Sequence, residues 1–204
     1  MFALETTGAF SNDKSYFIPD ARSELLAYLN SKLAWSFLTS VSPAVRDNWH
    51  EMRVQYVEVL PIPDMVRDEG LAALGQTCTD AARKRHALIA AVRHRILDLA
   101  PPERRKLNGR LENWHELDFA AFQAEVKKAF RADIPLKRRG EWEAFLADNS
   151  RDVRALTAEI ETAEHEIDQI VYGLFDLTSE EIALLEASIG GAASDLPADS
   201  VIAD

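Results

Sequence analysis

Cysteine is nearly missing from this 204-residue chain; Cys78 stands alone, so no internal disulfide can form. Such a chain suits a reducing compartment, and a cytoplasmic location is the expectation. Long apolar runs are missing too. No stretch reaches the roughly 20 apolar residues that span a bilayer, and no leader pattern opens the chain, so no membrane partner is expected. Gly140-Glu141 and Gly190-Gly191 lack the spacing of a phosphate cradle, and neither a P-loop nor a GxGxxG is present. The five histidines (His50, His86, His94, His115, His165) show no HExxH and no cysteine at ligand spacing. No metal site is expected from them.

What is present describes a water-facing globular protein. Hydrophobic residues make up 47% and charged residues 28%, which fits one large or two small domains with a core. The net charge of −11 opposes nucleic-acid binding if it is spread evenly. It is not. Residues 83–110 carry nine Lys/Arg against Asp98 and Glu103, a net of +7. Residues 127–139 carry six against Asp133, a net of +5. From Glu141 onward, Arg151 and Arg154 oppose sixteen acids, a net of −14. A local basic face is enough to hold phosphates, because screening hides charges beyond about 8 Å at physiological salt. Pairing between the basic and acidic helices is the plain alternative.

The spacing predicts an α+β fold, mostly helical: a small strand–helix–strand block, then a long antiparallel helical hairpin with inserted short helices. Met1–Thr7 and Ser15–Ile18 read as two strands. A helix capped by Asp20 is expected from Ala21 to about Thr39, with Leu25, Leu26, Leu29, Leu33 and Phe37 on one face. A polar loop follows, and Arg53–Leu60 alternates like a strand that Pro61 and Pro63 end. Leu71, Leu74, Cys78, Ala81, Leu88, Val92, Ile96 and Leu99 form a stripe near period 3.5. Val153 to Leu174 repeats the rhythm, so the two helices should pack antiparallel. Between them, Leu117–Phe130 reads as an amphipathic helix, and Glu141–Leu146 begins another. Their aromatics are expected to be core. Thr178-Ser179-Glu180-Glu181 reads as a capping box for a helix to about Ser188, which Gly190-Gly191 would end. The expected divisions are 1–63, 64–189 and a loosely ordered acidic tail, 190–204.

Three segments carry a resemblance. Leu25–Trp35 contains Leu29-Asn30-Ser31-Lys32-Leu33, and Gln55–Pro63 ends in Leu60-Pro61-Ile62-Pro63. Ile167–Ile182 reads Asp168-Gln169-Ile170-Val171-Tyr172-Gly173-Leu174-Phe175-Asp176-Leu177-Thr178-Ser179-Glu180-Glu181-Ile182. Together they resemble the TaqI-like specificity (target recognition) domain of type IIG restriction–modification enzymes, which are adenine-specific DNA methyltransferases. Phe175 stands where that pattern usually has Tyr. The resemblance implies a DNA target recognition or positioning module with double-stranded DNA and an upstream methyltransferase/endonuclease domain as partners. The Asn-Pro-Pro-Tyr-type loop of the catalytic part is absent, so this chain alone is expected to be non-catalytic. S-adenosylmethionine and Mg are implied for the catalytic part, and no cofactor for this one. The opening on a strand suggests a truncated polypeptide or a split gene.

Within that resemblance, Arg46, His50 and Arg53 are the first candidates for DNA contact, because Arg and His can meet base edges or phosphates. Lys137, Arg138 and Arg139 are the second group, a basic cluster near the hairpin tip. An unliganded surface loop and a solvated turn are the corresponding plain alternatives. Asp118 with Glu125 and Lys127 superficially fits a nuclease D…E-x-K. The segment is helical, however, and residues two apart on a helix point about 200° apart, so a solvated helix face is expected. A functional rival also stands: a coiled-coil-like interaction or oligomerisation module without DNA binding.

Overall fold

The computed structural model describes residues 2–4, 8, 17–19, 22–46, 49–63 and 69–193. The fold is α+β and mostly helical. Helices α1 (Ser23–Leu29) and α2 (Lys32–Val41) precede a two-stranded antiparallel ribbon, β1 (Ala44–Arg46) and β2 (Trp49–His50). A single turn, α3 (Val54–Val57), leads to the long α4 (Glu69–Ile96). Short α5 (Gly109–Glu112) and α6 (Phe119–Phe130) follow. The 36-residue α7 (Arg139–Leu174) and α8 (Ser179–Ala193) complete the order.

The chain divides into two compact units: residues 1–76 with 163–204, and residues 77–162. The division falls inside α4 and inside α7.

The unit of residues 77–162 is built on apolar packing. In it α4 and α7 run antiparallel, since Cys78 Sγ reaches the Ile160 carbonyl and Arg85 reaches Thr157. The inserted helices close a core of Val92, Ile96, Leu111, Trp114, Phe122, Val126, Phe130, Ile134, Trp142, Leu146 and Val153. Trp114 is fully buried, and its indole N–H donates to the Ile89 carbonyl. Trp142 stacks on Phe122 at 5.9 Å and meets Phe145 edge-on. The aromatics are core as expected, except that Phe145 is exposed. Asp118 caps α6 by accepting from the Ala121 N–H. Arg131 ends α6 in the left-handed region at φ 53°.

The other unit joins remote segments. The expected single helix over residues 21–39 is broken at Asn30-Ser31. Ser31 turns extended and caps α2 through its hydroxyl, while buried Asp168 accepts the Lys32 N–H at 2.8 Å. Asn30 leaves the helix and grips Phe2 through both its amide groups. Asp20 lies outside the described residues; Arg22 occupies the cap position without a side-chain bond. Gly75 in α4 is needed where it stands, because a Cβ there would lie 2.8 Å from the Ser23 carbonyl oxygen.

Further expectations are corrected. Arg53–Leu60 is not a strand; Val57 and Glu58 bond back to Arg53 and Val54, making a helical turn. Short alternation alone does not choose between periods, and no strand partner lies alongside among the described residues. The strands lie instead in the expected loop, at 44–46 and 49–50. Of the strands expected at 1–7 and 15–18, the described residues 2–4, 17 and 18 are not extended into ladders, and the rest lie outside the described residues. The helix begun at Glu141 does not stop before Val153. With no proline between Arg139 and Leu174, it continues unbroken as α7. Gly190-Gly191 does not end α8, which reaches Ala193; two glycines cost about 1 kcal/mol each against alanine, without forbidding the helix. Residues 194–204 lie outside the described residues.

Candidate nucleic-acid interface

The three segments that carry the family resemblance meet in one place, in the unit of residues 1–76 and 163–204. Tyr28, on α1, donates its hydroxyl hydrogen bond to the Pro61 carbonyl and stacks on Phe175 at 6.0 Å. Burial pushes the Tyr28 phenol up to about 12. Lys32 then links the first segment to the last: its backbone N–H and its ammonium both engage Asp168, the latter at 3.4 Å. The ammonium also reaches Glu186 at 3.2 Å, and Tyr172 donates to the same carboxylate. Burial holds the Asp168 carboxyl above its usual range despite Lys32. Lys32 is pulled down by partial burial, but Glu186 and Asp168 outweigh that and raise it. Asn30, Ser31, Lys32, Asp168 and Tyr172 are therefore architectural residues, bonded to one another or to backbone.

The first candidate group surrounds the ribbon. Arg46 closes β1. His50 is half-buried, with Nδ1 3.1 Å from the Ser42 hydroxyl and 3.0 Å from its carbonyl oxygen. Arg53 is exposed and pairs with Glu51 at 2.8 Å. His50 thus serves its own turn through one ring nitrogen, and Arg53 is engaged by an acid.

The second group lies on a 3-10 turn, Leu136–Arg138, in the unit of residues 77–162. Lys137 and Arg138 are exposed, while Arg139 is structural. Its guanidinium donates to the Ile134 carbonyl and to Asp133 at 3.2 Å. Asp133 also accepts from Gln123 on α6, so one carboxylate ties α6 to the start of α7. The Gln123 bond, then Arg139, the Ile134 backbone and nearby Lys127 hold Asp133 below the ordinary carboxylate range. The two candidate groups belong to different units.

The D…E-x-K residues do not converge. Asp118 is a helix cap, and Glu125 is not on a solvated face as expected. It is 6% exposed, accepts from Asn108 at 2.9 Å and pairs with Arg110 and Lys128. Sequence reasoning missed this clasp; Asn108 capping α5 just ahead of Arg110 was the available signal. It also missed His115, whose buried Nδ1 has no hydrogen-bond partner among the described residues and whose basicity burial lowers. No group of three or more His, Cys, Asp or Glu among the described residues could hold a metal ion. No described helix is long and apolar enough to cross a membrane.

Residues 65–171, just over half the chain, match the profile of a family described as "Domain of unknown function (DUF8810)". The chain belongs to that family. No curated protein matches it, and no solved structure does.

Proposed function

We propose that this chain is a DNA target-recognition and positioning module of a site-specific adenine-N6 DNA-modifying enzyme, of the type IIG restriction–modification or phage-defence kind. It works in the cytoplasm and does no chemistry itself. S-adenosylmethionine and Mg belong to a methyltransferase/endonuclease domain that it serves. The observation that carries this reading is the convergence on Tyr28 and Lys32 of all the segments that resemble the specificity domain. The segments bond to one another across 136 positions, as parts of one module must.

Charge supports a division of labour. The unit of residues 77–162 has 17 Lys/Arg against 14 Asp/Glu, a net of +3, whereas the remainder of the chain nets −14. The basic turn Lys137-Arg138 faces the DNA phosphates. The acidic unit faces protein, and Val41, Val45, Val54, Val59 and Ile62 are its exposed apolar contacts for the catalytic part. The rival reading asks for an exposed seam along α4 and α7, yet Leu71, Val92, Ile96, Val153, Ile167 and Val171 are buried.

Duplex DNA binding across a salt series tests the proposal. Each phosphate contact contributes a slope of about −0.9 in log K against log salt. Neutralising Lys137 and Arg138 should lower the slope magnitude by about two. Concentration-dependent self-association without duplex binding at low salt would favour the interaction module instead.

A further inference from the structure

We infer that Leu136 is a wedge that enters a DNA base step, held out by the basic turn that grips the flanking phosphates. The inference rests on the DNA-binding reading and gives that site a mode of action. Leu136 is 77% exposed, more than any other large hydrophobic residue among the described residues. A single exposed leucine is ordinary on a protein surface and means nothing alone. Its setting is not ordinary.

The backbone beneath Leu136 is pinned from both sides. Ile134 is 1% exposed, and the Pro135 ring fixes its own φ at −54°. The Arg138 N–H bonds the Pro135 carbonyl at 2.8 Å. Arg139 bonds the Ile134 carbonyl and Asp133, and Asp133 is bonded in turn to Gln123 on α6. A loose loop could fold its leucine back against the protein. This turn is fastened at Ile134, Pro135 and Arg139, so the side chain stays out.

The rim is cationic. Lys137 and Arg138 follow Leu136 directly and are exposed, as is Arg131 just before it. The neighbouring acid, Asp133, is already engaged by Gln123 and Arg139; Glu141 is exposed a turn further on. An apolar tip flanked in sequence by exposed positive charges fits a partner with an apolar interior between negative rails. A base stack between two phosphate backbones has that form. Apolar side chains entering a step unstack it and kink the duplex, and the added backbone contacts offset the cost. An anionic membrane shares the charge, but one leucine on a short turn lacks the second insertion signal that stable anchoring needs.

The full chain is tested on two duplexes that differ by one central mismatch flanked by 2-aminopurine. A mismatch lowers the cost of opening the stack. The wild type should bind the mismatched duplex about tenfold tighter and brighten the probe, since apolar wedging gains where unstacking is cheap. Leu136→Ala should erase the preference and the brightening with an unchanged salt slope, and Leu136→Phe should keep them. Lys137→Ala with Arg138→Ala should weaken both duplexes alike and reduce the slope by about two. Salt-dependent binding in which Leu136→Ala keeps the mismatch preference overturns the wedge and leaves the DNA reading standing. Absence of duplex binding at low salt overturns both. Leu136-dependent binding to phosphatidylserine vesicles in preference to duplex reassigns the tip to a membrane and overturns the wedge.

Discussion

The two units of this protein combine apolar packing and directional bonds in different proportions. Residues 77–162 fold on themselves: near neighbours in sequence close an aromatic core, and Trp114, Phe122 and Phe130 are almost wholly buried. The unit made of 1–76 and 163–204 is assembled from segments far apart in the chain, and directional bonds between them add to a buried apolar set that includes Leu38, Leu60, Leu71, Ile167 and Val171. Asn30 grips Phe2, Tyr28 bonds Pro61, and Lys32 sits between Asp168 and Glu186. It also carries nine of the eleven exposed large hydrophobics among the described residues, so its apolar surface is the less finished one. The family match, 65–171, covers the whole self-contained unit and only flanking pieces of the other. Hydrophobic closure makes a domain that can be shared across contexts. Polar specification between remote segments makes a surface fitted to one of them.

If that contrast is right, the largest single loss comes from the aromatic core. Trp114→Ala removes a fully buried indole and its bond to Ile89. Such truncations cost about 3–5 kcal/mol. Urea melts followed by the helical signal should show a loss in that range. A loss below about 1 kcal/mol would mean that the core is not what holds residues 77–162 together.

A smaller effect is expected at Asp168. Asp168→Ala strips the acceptor from the Lys32 N–H at the start of α2, and loss of a cap acceptor costs about 1–2 kcal/mol. The Lys32 side chain is 41% exposed, so water still reaches it. Asp168→Asn keeps an acceptor and should lie within about 0.5 kcal/mol of the wild type at neutral pH. The pH sign follows from burial, which raises the folded Asp168 pKa above the unfolded one. The folded state then binds that proton more tightly, and it loses stability as pH climbs past about 4. Asp168→Asn cannot titrate and should gain on the wild type over that range. Equal penalties for Ala and Asn would show that the carboxylate is not acting as the cap.

The helical periods were legible because they repeat: Leu71, Val92 and Ile96 on α4 and Val153, Ile160 and Ile167 on α7 are buried as their spacing requires. The capping box was legible because it is local. The break at Asn30-Ser31 was not: its local trace, the Ser31 cap, sits inside an apolar face that runs on from Leu29 to Leu33, and its second support, Asp168, lies 136 residues beyond Lys32. The Arg53–Leu60 turn was missed for the opposite reason: five or six alternating residues fit both periods. At the candidate site, charge type and order were readable. Residue roles were not, since Arg139 and its neighbours Lys137 and Arg138 look alike in sequence, yet Arg139 is bonded to Ile134 and Asp133 while the other two are exposed.

The smallest predicted effect lies at the start of α8 and tests whether the unit of residues 1–76 and 163–204 depends on directional bonds even at its surface. Thr178 donates its N–H to the Glu181 carboxylate at 2.8 Å, and the Glu181 N–H returns a bond to the Thr178 hydroxyl. The Thr178 backbone bond, then its hydroxyl bond, hold Glu181 below the ordinary carboxylate range. A depressed carboxylate contributes stability that is whole above its unfolded pKa, near 4.3, and is lost as pH falls through its folded value. Thr178→Ala should therefore lower the melting temperature at pH 7, with a gap to the wild type that narrows as pH drops below about 4. Glu181→Gln removes the titration while keeping an acceptor, so its own pH profile should be flatter than the wild type's across the same window. A Thr178→Ala gap that is constant with pH would place the stabilisation in the hydroxyl bond alone, and the carboxylate would be a bystander at the helix start.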